Sequence, residues 1–363
     1  MPEKLKDILF PPEKVKLFAT VLKEVYPDFD EAGFLNSVCD AEWPDRELKQ
    51  KMRHTTVCLH QYLPMNYAKA VDILISIVPK VTGFEAIVLP DYVEVYGQDD
   101  WDISLPALGE LTKCGSSEFA IRPFLIQDLE RAMKYMHTWA DSDDFKVRRF
   151  ASEGCRPRLP WASGVPALKK DPALILPILE KLKDDPEEFV RKSVANNLND
   201  ISKDHPELVL DICRRWQEKS KNTDWIIKHA CRTLLKQGNN RAMLLFGFAN
   251  PEKMEVEKLD ISNQAPKIGE DIEFSFKLNL KTDKKQKVRL EYIIHFVKAS
   301  GKTSPKVFQM KEVEMTPGIH AIVKKHSFKD LSTRKHYPGE HSMEIVVNGV
   351  VKAENSLVLG KTF

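Results

Sequence analysis

The chain has 363 residues, of which 42% are hydrophobic, and its formal net charge is only +2. This length suggests two domains with sizeable cores, and the small net charge argues against a protein that binds nucleic acid over its whole surface. The apolar stretches are shorter than the ~20 residues that span a membrane, and the N-terminus lacks the apolar run of a signal peptide. We therefore expect a cytoplasmic protein without a membrane partner.

Cysteines and histidines are scattered along the chain, without a CxxC pair or an HExxH motif. This pattern favours reduced core thiols in a cytosol over a disulfide framework or a zinc site. We predict no metal. The cysteines are Cys39, Cys58, Cys114, Cys155, Cys213 and Cys231.

Residues 1–250 are predicted to form a series of helices, because apolar residues recur there at intervals of three to four. A short motif of acids, an aromatic residue, a β-branched residue and a base recurs around Val147, Val190 and Ile227. Its spacing is typical of HEAT-like repeats, in which two helices form each unit and the units stack into a superhelix. The concave surface of such a stack suits a DNA duplex or another protein.

From Val256 onward, apolar and polar residues alternate, and turn signals such as Asn348-Gly349 separate the segments. About seven short strands at roughly 8–15-residue spacing predict an antiparallel β-sandwich of immunoglobulin type. We therefore predict a multidomain α and β protein. Its parts are an all-α HEAT-like domain (1–250), a linker (251–262) and an immunoglobulin-like β-sandwich (263–363).

The segment from Ser116 to Trp161 combines residue types that suit chemistry on DNA. Two carboxylates, Glu118 and Glu153, stand in apolar or basic surroundings. Cations suit backbone phosphates, an aromatic ring suits a sugar or base, and carboxylates suit a cationic intermediate. The cations of this segment are Lys146, Arg148, Arg149, Arg156 and Arg158.

Four strings resemble the AlkC-type DNA alkylation-repair glycosylases: SLPALGELT (104–112), SSEFAIRPFL (116–125), VRRFASEGCRPRLPWA (147–162) and the long run of residues 171–209. The resemblance implies a HEAT-like fold and the removal of N-alkylated bases without a metal or cofactor. It also implies 3-methyladenine and 3-methylcytosine as substrates, and double-stranded DNA with alkylated bases as the partner. We expect a monomer that associates with the nucleoid through DNA.

Glu118 and Glu153 are the candidate catalytic carboxylates. A base methylated at N3 carries a positive charge and leaves readily, so the enzyme has to stabilise an oxocarbenium-like sugar and position a water. The structural alternative for Glu118 is a first-turn acid or an ion pair with Arg122 four residues on. For Glu153, the alternative is an ordinary helical pair with Arg149.

The candidate DNA contacts also have structural alternatives. Either Arg148 or Arg149 could instead pair with an aspartate of the next repeat, and Trp161 could fill the core. The polar residues of SVANNLND could form a solvated helix face. The candidates in this region are Arg148, Arg149, Arg156, Arg158, Trp161, Asn196, Asn197, Asp200 and Lys203.

The sandwich carries 20 Lys and Arg against 15 Asp and Glu from residue 251 onward. Two basic runs, 281–289 and 324–336, could clasp a duplex or simply be solvated surface. Their candidate DNA contacts are Lys284, Lys285, Lys324 and Lys325. Two other functions stay open on sequence grounds: a non-catalytic HEAT-repeat scaffold and a DNA-damage sensor.

Overall fold

The structure, a computed structural model, describes residues 5–331 and 334–361. Contacts group the chain into two compact units, one of residues up to 205 together with 216–230, the other of residues 206–215 and 231 onward. No helix in the described ranges is long and apolar enough to cross a membrane.

Helices occupy the chain up to residue 245, as the apolar periodicity predicts. In chain order they are α1 (Leu5–Leu9), α2 (Pro12–Val25), α3 (Glu31–Val38), α4 (Leu48–Tyr62), α5 (Tyr67–Ser76), α6 (Val88–Tyr96), α7 (Trp101–Leu111), α8 (Arg122–Gln127), α9 (Leu129–Trp139), α10 (Phe145–Gly154), α11 (Pro166–Lys170), α12 (Leu176–Leu182), α13 (Glu188–Ile201), α14 (Pro206–Trp216), α15 (Lys221–Ala230), α16 (Arg232–Lys236) and α17 (Asn240–Leu245). Helix α4 begins at Leu48 because Glu47 and Gln50 form a capping box, in which the Glu47 amide donates to Gln50 Oε1 over 2.7 Å.

The recurring motif marks helices that pack side by side. It opens α10, α13 and α15, and α13 packs between the other two. Val147, Val190 and Ile227 are all buried in these contacts. The predicted HEAT-like repeat is therefore confirmed, and its apolar positions face the neighbouring units.

The strands form two antiparallel sheets that enclose one apolar core. One sheet has the order β1-β2-β5 and the other β4-β3-β6-β7. The strands are β1 (Met254–Ile261), β2 (Asp271–Leu280), β3 (Gln286–Val297), β4 (Thr303–Met315), β5 (Gly318–Ser327), β6 (Gly339–Val347) and β7 (Val350–Leu359). Alternate residues of β2, from Ile272 to Leu280, are buried between the sheets. The predicted immunoglobulin-like sandwich is confirmed.

The turn between β6 and β7 has the backbone that its sequence predicts. Asn348 and Gly349 have φ angles of 46° and 80°, as a two-residue type I′ hairpin turn requires. The Asn348 side chain accepts from the Arg289 amide over 2.7 Å and donates to the Ala249 carbonyl over 2.8 Å. The turn residue is therefore also part of the interior.

The predicted linker, 251–262, requires a correction. Most of it is strand β1, which pairs with β2 from Met254 to Ile261 and buries Met254, Leu259 and Ile261. Helices α16 and α17 also belong to the compact unit that contains the strands. Independent folding of residues 1–250 and 263–363 stays a prediction.

Candidate active site

Glu118 lies in a turn that precedes α8. Ser117 anchors this turn, because its hydroxyl donates to the Leu108 carbonyl over 2.8 Å. Gly115 allows the turn to pack closely against the Ala86 backbone, since a Cβ at this position would lie 2.5 Å from the Ala86 carbonyl oxygen. The turn thereby presents Glu118 with 14% of its side chain exposed.

Glu153 lies in the last turn of α10, and 7% of its side chain is exposed. Other groups satisfy the backbone carbonyls at this helix end, which an α-helix leaves without partners. Asn197 Nδ2 donates to the Ser152 carbonyl over 2.7 Å, and Arg122 Nη1 donates to the Gly154 carbonyl over 2.8 Å. The end of α10 is therefore held from two sides.

Arg149 links the two carboxylates. Its guanidinium forms an ion pair with Glu118, and Nη2 lies 3.4 Å from Glu153 Oε1. Ser116 Oγ accepts from Arg149 Nη1 over 2.8 Å and donates to Glu118 Oε2 over 2.5 Å. The ring of Phe189 supports the guanidinium, with 4.8 Å between Cζ and the ring centroid.

The network continues inward from Glu153. Arg156 Nη1 lies 2.7 Å from Glu153 Oε1, and Arg156 Nε lies 2.9 Å from Asp200 Oδ2. Lys203 Nζ lies 3.2 Å from Asp200 Oδ1 at the outer end. Burial alone lowers the pKa of Arg156, but the carboxylates of Glu153 and Asp200 outweigh this effect and raise it above its ordinary value.

A cleft of ≈ 300 Å³ opens beside this network. Glu118, Glu153 and Arg156 line its polar side. Its other walls are largely apolar and include Leu48, Met52, Phe84, Ile87, Phe119, Leu159, Pro160 and Trp161. The arrangement places two carboxylates against apolar and aromatic walls, which suits the binding of a planar or sugar-like group.

Trp161 does not fill the core, because 69% of it is exposed at the rim of the cleft. Its φ of 64° is left-handed, a conformation that is uncommon for a bulky residue. Lys49 Nζ donates to its carbonyl over 2.7 Å and holds this backbone in place. An exposed aromatic ring on a strained backbone indicates a functional position.

Arg148 pairs with an aspartate of the next repeat, which is the structural alternative to a DNA contact. Its Nε and Nη2 donate to the two carboxylate oxygens of Asp185 over 2.6 and 3.1 Å, and Nη1 donates to the Ser142 and Asp143 carbonyls. Asp185 is buried and precedes α13 of the next repeat. The prediction of a DNA contact for Arg148 is therefore corrected to a link between repeats.

Three further predicted DNA contacts are buried side chains with internal partners. Asn197 is fully buried against α10, where it donates to the Ser152 carbonyl. Arg156 and Asp200 are 7% and 2% exposed and bind each other. Burial argues against a direct DNA contact for these three, because Asn197 and Asp200 face the interior of the stack and Arg156 is held between Glu153 and Asp200.

The remaining candidates of the helical region stand closer to solvent. Arg158 is exposed and binds Asp204 through two hydrogen bonds of 3.1 and 2.6 Å. Lys203 keeps 38% of its side chain exposed beyond Asp200. Asn196 is half-buried, and its Oδ1 lies 3.2 Å from His229 Nε2.

The candidate lysines of the sandwich are all exposed. Lys285 Nζ lies 2.8 Å from Glu314 Oε2. Lys324 pairs in register with Phe274, and Lys325 with Glu273. Since neighbouring residues of a strand point to opposite faces, Lys324 and Lys325 do not form one patch.

Sequence reasoning missed several residues of the site. Ser116 and Phe119 flank Glu118 in the segment that was singled out, so proximity in sequence was a usable signal. Lys49 on α4 and Phe189 on α13 reach the site through folding alone, and no local pattern marks them. In the described ranges, no group of three or more His, Cys, Asp and Glu side chains could hold a metal.

Helical pairs with a carboxylate–arginine network, followed in the chain by an immunoglobulin-like sandwich, define a HEAT-like repeat protein with a β-sandwich appendix. A family model described as "DNA alkylation repair enzyme" matches residues 115–234. Another, "Uncharacterised protein YhaZ, C-terminal Ig-like domain", matches residues 255–361.

YhaZ of Bacillus subtilis (strain 168) is 46% identical over 332 residues, which cover 91% of this chain and 92% of YhaZ. The solved structure of Pseudomonas fluorescens alkylpurine DNA glycosylase AlkC, bound to DNA containing an abasic site analog, is 38% identical. It superposes with a TM-score of 0.92 over 98% of this chain and 99% of its own. The chain belongs to the AlkC-type family of DNA alkylation-repair proteins, which confirms the resemblance.

Proposed function

We propose that this protein is a DNA glycosylase that hydrolyses the N-glycosidic bond of cationic N3-alkylated bases, namely 3-methyladenine and 3-methylcytosine. The product is an abasic site in double-stranded DNA. The observation that carries the proposal is the pair Glu118 and Glu153, joined by Arg149 at one cleft with an exposed Trp161 at its rim.

The chemistry needs few groups from the protein. Methylation at N3 gives the base a positive charge, so it departs without protonation and leaves an oxocarbenium-like sugar. A carboxylate near C1′ stabilises that cation, and a carboxylate can also orient the attacking water. We assign the first role to Glu118, which is the more exposed of the two, and the second to Glu153.

The network prepares both carboxylates for this task. Arg149 and Arg156 compensate the charges of Glu118, Glu153 and Asp200, so the anions are tolerated in a largely buried setting. A DNA phosphate is itself an anion and competes with Glu118 for Arg149. Its binding would free Glu118 to face the sugar.

The candidate residues that are exposed to solvent form the rest of the proposed DNA interface. Trp161 packs on the deoxyribose or a base face, as exposed aromatic residues do on nucleic acids. Arg158, Lys203 and Asn196 contact the backbone beside the lesion. In the sandwich, Lys284, Lys285, Lys324 and Lys325 are the candidates for further phosphate contacts.

We also propose that the protein is a monomer that works on chromosomal DNA in the cytoplasm, at the nucleoid. In this proposal the helical region carries the catalytic groups, and the β-sandwich, which includes β1, adds affinity for DNA. Neither the reaction nor these contacts requires a metal or a small-molecule cofactor.

The test is to incubate the protein with methylated duplex DNA and to identify the released bases by chromatography. We expect free 3-methyladenine and 3-methylcytosine, with strand breaks only after the abasic sites are treated with alkali. Tight binding of methylated DNA without base release would instead identify a damage sensor. Neither release nor binding would favour a protein scaffold.

A further inference from the structure

Arg122 is the first residue of α8 and follows Glu118 by four positions. The spacing predicts a helical ion pair as one alternative for Glu118, but Glu118 lies in the preceding turn and binds Arg149 instead. Arg122 is only 2% exposed, and it is among the largest fully buried side chains of the described chain. Its three described hydrogen bonds all go to backbone carbonyls.

These carbonyls belong to the segment that carries the other site residues. Nη1 donates to the Gly154 and Arg156 carbonyls and Nε donates to the Ser163 carbonyl, each over 2.8 Å. Gly154 directly follows Glu153, and Ser163 comes two residues after Trp161. One rigid, planar group therefore ties the Glu118 turn to the backbone beside Glu153, Arg156 and Trp161.

Burying the charged Arg122 side chain in this way costs folding free energy. Burial lowers the pKa of Arg122 to about 10, because the charged form loses its hydration. Its Nη2 is buried without a hydrogen-bond partner in the part of the chain that the structure describes. An apolar side chain of similar volume often stabilises such a position at least as well.

We propose that Arg122 is a positioning residue that sets the separation of Glu118 and Glu153 for the glycosidic reaction. It contacts neither carboxylate and acts through the three carbonyls. A guanidinium suits this task because its donors diverge in a fixed plane, whereas an ammonium group is a single point at the end of a flexible chain. The inference rests on the proposed glycosylase function.

The experiment compares Arg122→Met and Arg122→Lys with the wild type in single-turnover base release from a duplex with one 3-methyladenine. We expect Arg122→Met to lower the rate at saturating protein at least 10-fold, because reacting groups lose their alignment. Its affinity for undamaged duplex should stay within about threefold of the wild type, since Arg122 is too buried to reach a phosphate. Arg122→Lys should recover part of the rate.

Two controls separate positioning from general stability. Leu179→Ala creates a cavity at a buried position of α12 outside the cleft, so it should lower the melting temperature and keep the rate. In a double-mutant cycle, Arg122→Met should lower the rate of base release by a smaller factor when Glu153 is already Gln. The reason is that Arg122 acts by placing Glu153, so its loss matters less once that carboxylate is gone.

The outcomes are distinct. Base release by Arg122→Met at the wild-type rate, or rate losses that are additive with Glu153→Gln, would overturn the positioning role while the glycosylase function stands. A wild-type protein that releases no base would overturn both.

Discussion

The ion pair between Glu118 and Arg149 joins the turn before α8 to helix α10. The same guanidinium also lies close to Glu153, so in the free protein Arg149 compensates the charge of both candidate catalytic carboxylates. The site is thus charge-compensated before DNA arrives, and only part of the basic segment remains available for phosphates.

Trp161→Ala should separate function from stability. Trp161 is 69% exposed, so we expect the free energy of unfolding to change by less than about 0.5 kcal/mol. Loss of a stacking contact should weaken binding to lesion-containing duplex by about 1–3 kcal/mol. Trp225→Ala is the matched control, since Trp225 is also partly exposed but stacks on His229 and does not line the cleft. Equal affinity losses in both variants would contradict the role of Trp161.

Arg158→Gln and Arg148→Gln should behave differently although both arginines bind an aspartate. Arg158 is exposed, so its loss should flatten the salt dependence of duplex binding by about one counterion. Arg148 pairs with the buried Asp185, so its replacement should cost about 3–5 kcal/mol of stability and leave the salt slope unchanged. Binding titrations at several salt concentrations, together with urea unfolding, check both expectations.

Lys324→Gln and Lys325→Gln test the clasp in the sandwich. The two lysines point to opposite faces of β5, so a duplex against one face contacts only one of them. Lys324 lies opposite Phe274, whose side chain faces the core between the sheets, whereas Lys325 lies opposite Glu273 on the open face of the sheet. We therefore expect Lys325→Gln to reduce the salt slope of binding and Lys324→Gln to leave it unchanged. Identical slopes in the wild type and both variants would remove this strand from the interface.

The stability of the sandwich should fall in mild acid. Burial, assisted by His336, lowers the pKa of His326 to about 4, against an ordinary value of 6.5. The unfolded chain therefore binds a proton at a higher pH than the folded chain does. This contribution to stability is present above pH 6.5 and is lost as the pH falls towards 4, by up to about 3 kcal/mol.

Urea unfolding at pH 7 and pH 4.5, followed by NMR signals from the sandwich, checks this expectation. His326→Gln should flatten the pH dependence because it can keep the hydrogen bond to the Tyr292 hydroxyl without titrating. A wild-type slope in His326→Gln would exclude His326 as the cause.

Periodicity was sufficient for the architecture because burial in repeats and sheets recurs at fixed intervals. The change from helices to strands and the turn at Asn348-Gly349 follow from such local patterns. The partners of polar side chains do not follow, since they depend on which helix face meets the next unit. Asn197 and Asp200 look like surface residues in sequence, yet both are buried, Asn197 against α10 and Asp200 against Arg156.

Arg122 shows a second limit of sequence reasoning. Four-residue spacing implies an ion pair with Glu118 only if both residues share a helix, and the helix begins at Arg122. Its actual partners are carbonyls 32 to 41 residues away, for which no sequence pattern exists. The candidate carboxylates Glu118 and Glu153 could be chosen from the sequence, but the carbonyls that bind Arg122 could not.

The most direct measurement is the single-turnover rate of 3-methyladenine release by Glu118→Gln, with duplex affinity measured in parallel. The substitution keeps the shape of the side chain and removes the anion that we place against the sugar cation. We expect a rate loss of roughly 10²–10³-fold with affinity little changed. Release at the full wild-type rate would contradict the assignment of catalysis to this cleft.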